Sequence, residues 1–153
     1  MTSAAFPTVI AAVFTTATST LPTARVVRGR DISNNPGDVL MVGVADPDDP
    51  SGWDDAGTYE QSQHTFGGKR LEEGRVNCVA KSWNGNSDPS AAEAAVFAMI
   101  AALEASVATS PSLGVSSFDF LEAEVESGMV RESTSTEGAG AALSFVFNYK
   151  ARI

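Results

Sequence analysis

Asp46, Asp48, Asp49, Asp54, Asp55 and Glu60 fall within fifteen positions of the stretch VGVADPDDPSGWDDAGTYEQ, residues 42–61. Oxygen ligands at that density are what a hard divalent cation takes. A helix–loop–helix calcium loop needs oxygens at positions 1, 3 and 5, Gly at 6 and Glu at 12. A loop starting at Asp46 has Pro50 at position 5 and Gly57 at position 12. One starting at Asp49 has Glu60 at position 12 but Trp53 at 5 and Asp54 at 6. Neither register supplies the ligands, and Pro47, Pro50, Gly52 and Gly57 interrupt regular structure. Residues 46–60 therefore read as a solvated loop, with no metal site.

Other chemistry is harder to assemble. His64 is the single histidine and would have to be the base of any Ser–His–Asp set. It stands among Gln61, Gln63 and Thr65, and the chain has no G-x-S-x-G elbow. Cys78 has no neighbouring His and reads as a small buried strand residue. No Walker motif, G-x-G-x-x-G or zinc spacing is present, and EGAGAA (137–142) precedes a strand rather than a helix. Neither a catalytic set nor a cofactor site is expected. What stands out is Trp53, Tyr59 and Phe66 in a polar segment without periodicity. Aromatics so placed either pin the loop to its own domain or anchor a partner, which makes them candidate interface residues.

The elements that must position these residues can be read from periodicity. Pro7 suits the start of a short helix with Val9, Ile10, Val13, Phe14 and Ala17 on one side, ending before Pro22. ARVVRG (24–29) reads as a strand, and ISNNPGD (32–38) as a turn. DVLMVGVA (38–45) is continuously apolar, as in a central strand covered on both faces. Residues 46–70 read as one long acidic loop. RVNCVAKSW (75–83) alternates, with Val76, Cys78 and Ala80 on one face. Asp88 as N-cap and Pro89 as first residue open a helix. Its buried stripe is Ala92, Val96, Met99, Ile100, Leu103 and Val107, and its remaining alanines would let a second element approach closely. A C-terminal hairpin, residues 117–153, follows. Leu121, Ala123 and Val125 face one way and Glu122, Glu124 and Glu126 the other. RESTSTEGAG (131–140), with Glu132 and Glu137, forms a long tip, and Leu143, Phe145, Phe147 and Tyr149 share a face.

This order predicts an α+β fold, an α/β sandwich. A mixed or antiparallel sheet of about five strands carries two helices on one face, in a single domain spanning 1–153. The net charge of −9 opposes nucleic-acid binding by counterion release and docking on an anionic membrane. One cysteine permits no intrachain disulfide. The N-terminus lacks a basic region, and its apolar run 9–14 is short of the roughly 20 residues of a membrane span. A soluble chain made in the cytosol is expected.

Two runs carry a family resemblance. NNPGDVLMVGVADPDDPSGW and EEGRVNCVAKSWNGNSDPSAAEAAVFAMIAALEASV, together spanning roughly residues 37–108, resemble the tail terminator (tail completion) proteins of long-tailed phages, particularly those of actinobacterial hosts. ALSFVFNYKARI resembles that family's final strand. The resemblance implies a virion protein without enzymatic activity, assembled in the host cytoplasm as a homo-hexameric ring on the head-proximal end of the tail. The ring would stop tail-tube polymerisation and offer a docking surface to the neck, so the implied partners are the major tail tube protein and a neck or head-completion protein. Genomic DNA would pass through without specific binding, and no membrane is involved. Trp53, Tyr59 and Phe66 would then meet a neighbouring subunit or the tube. Glu122, Glu124 and Glu126 read either as a solvated sheet face or, with Glu132 and Glu137, as residues facing the channel of such a ring. Two alternatives stay open: another neck or head-closure component, and a small hydrolase using His64 with a loop carboxylate.

Overall fold

The computed structural model describes residues 4–33, 35–63, 68–85 and 88–153. Among the described residues two helices and six strands follow one another as α1 (Phe6–Thr20), β1 (Arg25–Arg28), β2 (Gly37–Val42), β3 (Gly57–Gln63), β4 (Arg70–Asn84), α2 (Pro89–Thr109), β5 (Phe120–Ser135) and β6 (Gly138–Arg152). The fold is α+β. The strands form one mixed sheet ordered β1-β2-β4-β6-β5, with β3 paired to β4 beside that path. Only β1 and β2 run parallel; the other pairs are antiparallel.

β4 is long enough to serve two partners on one edge. Its second half pairs with β2 (Val42 opposite Cys78) and its first half with β3 (Gly57 opposite Val76). Asn77 joins the two. Its carbonyl accepts from the N–H groups of Gly43 and Val44, and its own N–H donates to the Ala56 carbonyl. β2 and β3 are thus one line of strand interrupted by residues 43–56. The long loop expected over 46–70 therefore ends at β3, and this strand makes the sheet six-stranded rather than about five. Thr58, Tyr59, Glu60, Ser62 and Gln63 are largely exposed, so β3 carries no apolar alternation and is held by its backbone ladder.

Both helices cover one face of the sheet. The main core joins Val9, Ile10 and Val13 of α1 and Val96, Ile100 and Leu103 of α2 to Leu40, Val42, Val76, Cys78, Leu143, Phe145 and Phe147. The six-residue stripe expected on α2 is the buried set observed, and the Asp88 carboxylate caps the helix by accepting from the Ser90 N–H at 2.9 Å. On the other, outer face Val39, Met41, Val44 and Val79 form a smaller cluster. This explains why β2 is apolar throughout: it lies inside the sheet with both faces covered, while the middle of the order is β4.

The hairpin differs from its expected form. The β5–β6 ladder runs through Ser135 opposite Gly138, so residues 131–140 are strand and only Thr136 and Glu137 form the turn. The last third of β5 is an edge strand exposed on both sides, which leaves no apolar period to read. Small residues opposite it have a steric reason. A Cβ on Gly140 would stand 2.6 Å from the Trp83 ring.

Candidate functional site

The acidic excursion is fastened at several points. Asp46 Oδ1 accepts from the Asp48 N–H and Asp49 Oδ1 from the Ser51 N–H, each at 2.9 Å. The Ser51 backbone N–H, with its hydroxyl, holds the Asp49 carboxyl below the usual carboxylate range. Arg30 grips the loop from within, donating to Asp54 Oδ1 at 2.7 Å and to the Asp49 carbonyl at 3.0 Å. Arg131 of β5 reaches Asp48 at 3.4 Å and Asp46 at 3.7 Å. The carboxylates therefore turn toward backbone amides and two separate guanidinium groups instead of toward one point. Among the described residues no three His, Cys, Asp or Glu side chains form a possible metal-ligand group.

The three aromatics have different situations. Trp53 rides on the fastened loop with 83% of its surface exposed. Tyr59 is not in a loop: it lies on β3 with its ring stacked on Phe6 of α1, centroids 6.1 Å apart, and is 51% exposed. Phe66 lies outside the described residues, as does His64.

Glu122, Glu124 and Glu126 do share the outer face of β5, exposed and away from buried Leu121 and Ala123. Cross-strand neighbours temper the row. Glu122 lies opposite Lys150, and Asn148 Nδ2 donates to Glu126 Oε2. With Thr58, Glu60, Glu73 and Arg75, Glu122 and Glu124 line an open hollow of about 790 Å³ on the outer face, which Glu126 does not reach. Glu132 does not join this row. A β-bulge between Ser127 and Val130 inserts an extra position and reverses which side chains face the helices. Val130 then lies opposite buried Leu143, Glu132 opposite Ala141, and Arg131 takes the outer face. Glu132 instead hydrogen-bonds Glu93 of α2, and that bond, with burial and the like charge, raises its pKa. Glu137 sits in the hairpin turn, its N–H donating to Ser135 Oγ at 3.2 Å.

One charged residue escaped the sequence reading. Glu72 of β4 is wholly buried on the helix side. Its carboxylate accepts from the Ala5 N–H with both oxygens at 3.0 Å, from Gln61 Nε2 at 2.8 Å and from the Tyr149 hydroxyl at 2.8 Å. Tyr149 reaches it across Gly74, where a Cβ would come within 2.6 Å of the hydroxyl. Burial, then the bond to Glu72, pushes the Tyr149 pKa upward. α1 has no side-chain cap of its own, since its N-cap is Ala5, so Glu72 supplies the anion at that positive helix end. Extending the Val76, Cys78, Ala80 alternation backward by two steps would have placed Glu72 on the buried face. Its lone pairs are taken up and it is closed from solvent, an arrangement suited to fastening α1 rather than to proton transfer with a substrate. Cys78 is equally closed: burial pushes its thiol up to about 12.

Compared with known proteins, the chain matches no family model and no curated protein.

Proposed function

We propose that this chain is a structural virion protein of a long-tailed phage. In this reading it caps the head-proximal end of the tail tube as a hexameric ring, stops tube polymerisation, and presents the surface to which the neck docks. The reading rests on the resemblance of residues 37–108 and of the final strand to tail terminator proteins. The observation that supports it best is Trp53. An indole 83% exposed is held out to solvent on a loop clasped by Arg30 and Arg131, and an exposed aromatic anchor is what a contact hot spot uses. Tyr59 is the weaker candidate, since Phe6 already covers one side of its ring. Glu122, Glu124 and Glu126 are assigned to the channel wall, where negative charge denies passing DNA any counterion-releasing contact.

The direct test is tube growth in vitro. Adding the purified chain to polymerising tail-tube protein should arrest elongation and leave a ring at one end of each tube. Unchanged length distributions, with no ring in micrographs, would refute the proposal. Trp53→Ala should weaken capping while leaving the melting temperature of the free chain nearly unchanged. Loss of folding instead would mean that the indole serves its own domain.

A further inference from the structure

A second hollow, of about 620 Å³, opens on the outer face of the sheet over β4, β6 and β5, beside the first residues of the acidic loop. Trp83, Met129, Pro47 and Ala142 give it apolar walls, with Lys81 and Arg131 among them. Of the charges bordering it, Arg131 engages Asp46 and Asp48, and Glu132 bonds to Glu93. Lys81 is left over: it is exposed and enters no salt bridge among the described residues. It stands two residues from Trp83 on β4, so both face outward. Trp53 takes no part in the hollow of its own chain. It rides on the other limb of the loop, where neighbouring Asp54 is bound to Arg30 behind β1. β1 and β5 are opposite ends of the strand order. Two residues beyond Trp53, Asp55 is exposed. Its carbonyl accepts from Asn77 Nδ2 at 3.0 Å, but its carboxylate enters no salt bridge among the described residues.

We infer, resting on the reading of Trp53 as a contact anchor, that the hollow of one copy of this chain receives Trp53 of the next, with Asp55 meeting the neighbour's Lys81. Size allows it, since the hollow falls within the roughly 300–1,000 Å³ of pockets that enclose small apolar ligands. Chemistry favours it. A Met thioether and an aromatic ring are good neighbours for an indole, and an aromatic seated in an apolar pocket is the usual centre of a contact. Charge complements it. The loop limb carries an unpaired anion two residues from its tryptophan, and the hollow an unpaired cation two residues from Trp83. With the indole seated, that pair closes at the rim. A net charge of −9 otherwise makes copies repel, so a free lysine marks where an acidic loop can land. Knob and hollow are different patches on opposite flanks of the loop, which makes the contact heterologous. Repeated, such a contact closes into a ring or runs on as a filament. It is the class of contact that the proposed ring requires.

Sedimentation velocity of the full chain tests it, with arrest of tube growth as a separate readout. The wild type should associate as concentration rises and pass beyond the dimer. Trp53→Ala should weaken association roughly thirtyfold, the loss of a contact hot spot. Lys81→Glu, which sets two carboxylates face to face, should weaken it roughly tenfold. Both positions are exposed, so melting should stay near wild type. Asp55→Lys should weaken association as well, and the exchanged pair Asp55→Lys/Lys81→Asp should restore it, which a merely structural role of either residue would not produce. Mixed in equal amounts, Trp53→Ala and Lys81→Glu retain one hollow and one knob between them and should stop at a heterodimer. A wild type that stays monomeric at several hundred micromolar overturns the inference. Association that Lys81→Glu leaves intact, or that the exchanged pair fails to restore, overturns it too. If Lys81→Glu arrests tube growth as well as the wild type does, the hollow is not the ring contact and the ring reading survives. Head-to-tail association without any arrest of tube growth would remove the tail reading and leave this contact standing.

Discussion

Glu72 is held by neutral donors rather than by a cation. The Ala5 N–H and the Tyr149 hydroxyl, both buried, donate to it, so removing the carboxylate leaves two buried donors unmatched. Each unmatched donor costs about 1–3 kcal/mol. Glu72→Ala should therefore destabilise the chain by about 3 kcal/mol in urea denaturation, and Tyr149→Phe by about 1 kcal/mol. Glu72→Gln should fall between, because it keeps one acceptor oxygen. Circular dichroism should attribute part of the loss to α1, whose first turn has no other cap. Cys78 is the opposite case, a reactive group kept out of reach. With its thiol pushed up to about 12, it should resist a thiol reagent at pH 8 in the native state and react fully in denaturant. Rapid native labelling would show that β4 opens.

Among the elements, α2 was the most legible, because a helix with one buried stripe and a capped start leaves a 3.6-residue period that nothing else imitates. β3 was illegible for the converse reason. TYEQSQ has no apolar alternation, and what places it is a free edge on β4 that no local pattern announces. The bulge in β5 was hidden as well. Period-two reading carries Glu122, Glu124 and Glu126 onward to one side, and a single extra residue near Gly128 sends Glu132 to the other. That reversal gives a pH prediction. Hydrogen bonding to Glu93, with the like charge, raises the folded pKa of Glu132 above its ordinary value. The pair's contribution is then present in full below the unfolded pKa and lost as pH rises through the folded one. Glu93→Gln should raise the melting temperature at pH 7 and leave it nearly unchanged at pH 3. Asp88 behaves oppositely. The Ser90 N–H lowers its pKa, so its capping contribution is present above the unfolded pKa and lost as pH falls through the folded value. Asp88→Ala should lower stability at pH 7 and have little effect in strong acid.

For the whole molecule, the proposed ring makes charge on the outer sheet face matter. Replacing Glu122, Glu124 and Glu126 together with lysine should leave rings and joined particles intact yet slow genome delivery in a salt-dependent way. Normal infectivity of particles shown to contain the triple variant would remove these residues from the channel. A reconstruction with five or twelve copies per ring would defeat the six-fold proposal itself. The architecture also bears on how such a chain can change over time. The excursion between β2 and β3 leaves β4 opposite Cys78 and returns opposite Val76, only about 7 Å along the strand. Its ends are fixed by the ladder, and doubling a flexible loop adds only about 0.6 kcal/mol of closure cost. Residues 45–55 are therefore a graft site. A shorter or wholly different segment there should leave the melting curve close to wild type, so the contact carried by Trp53 can be exchanged for another without rebuilding the domain beneath it.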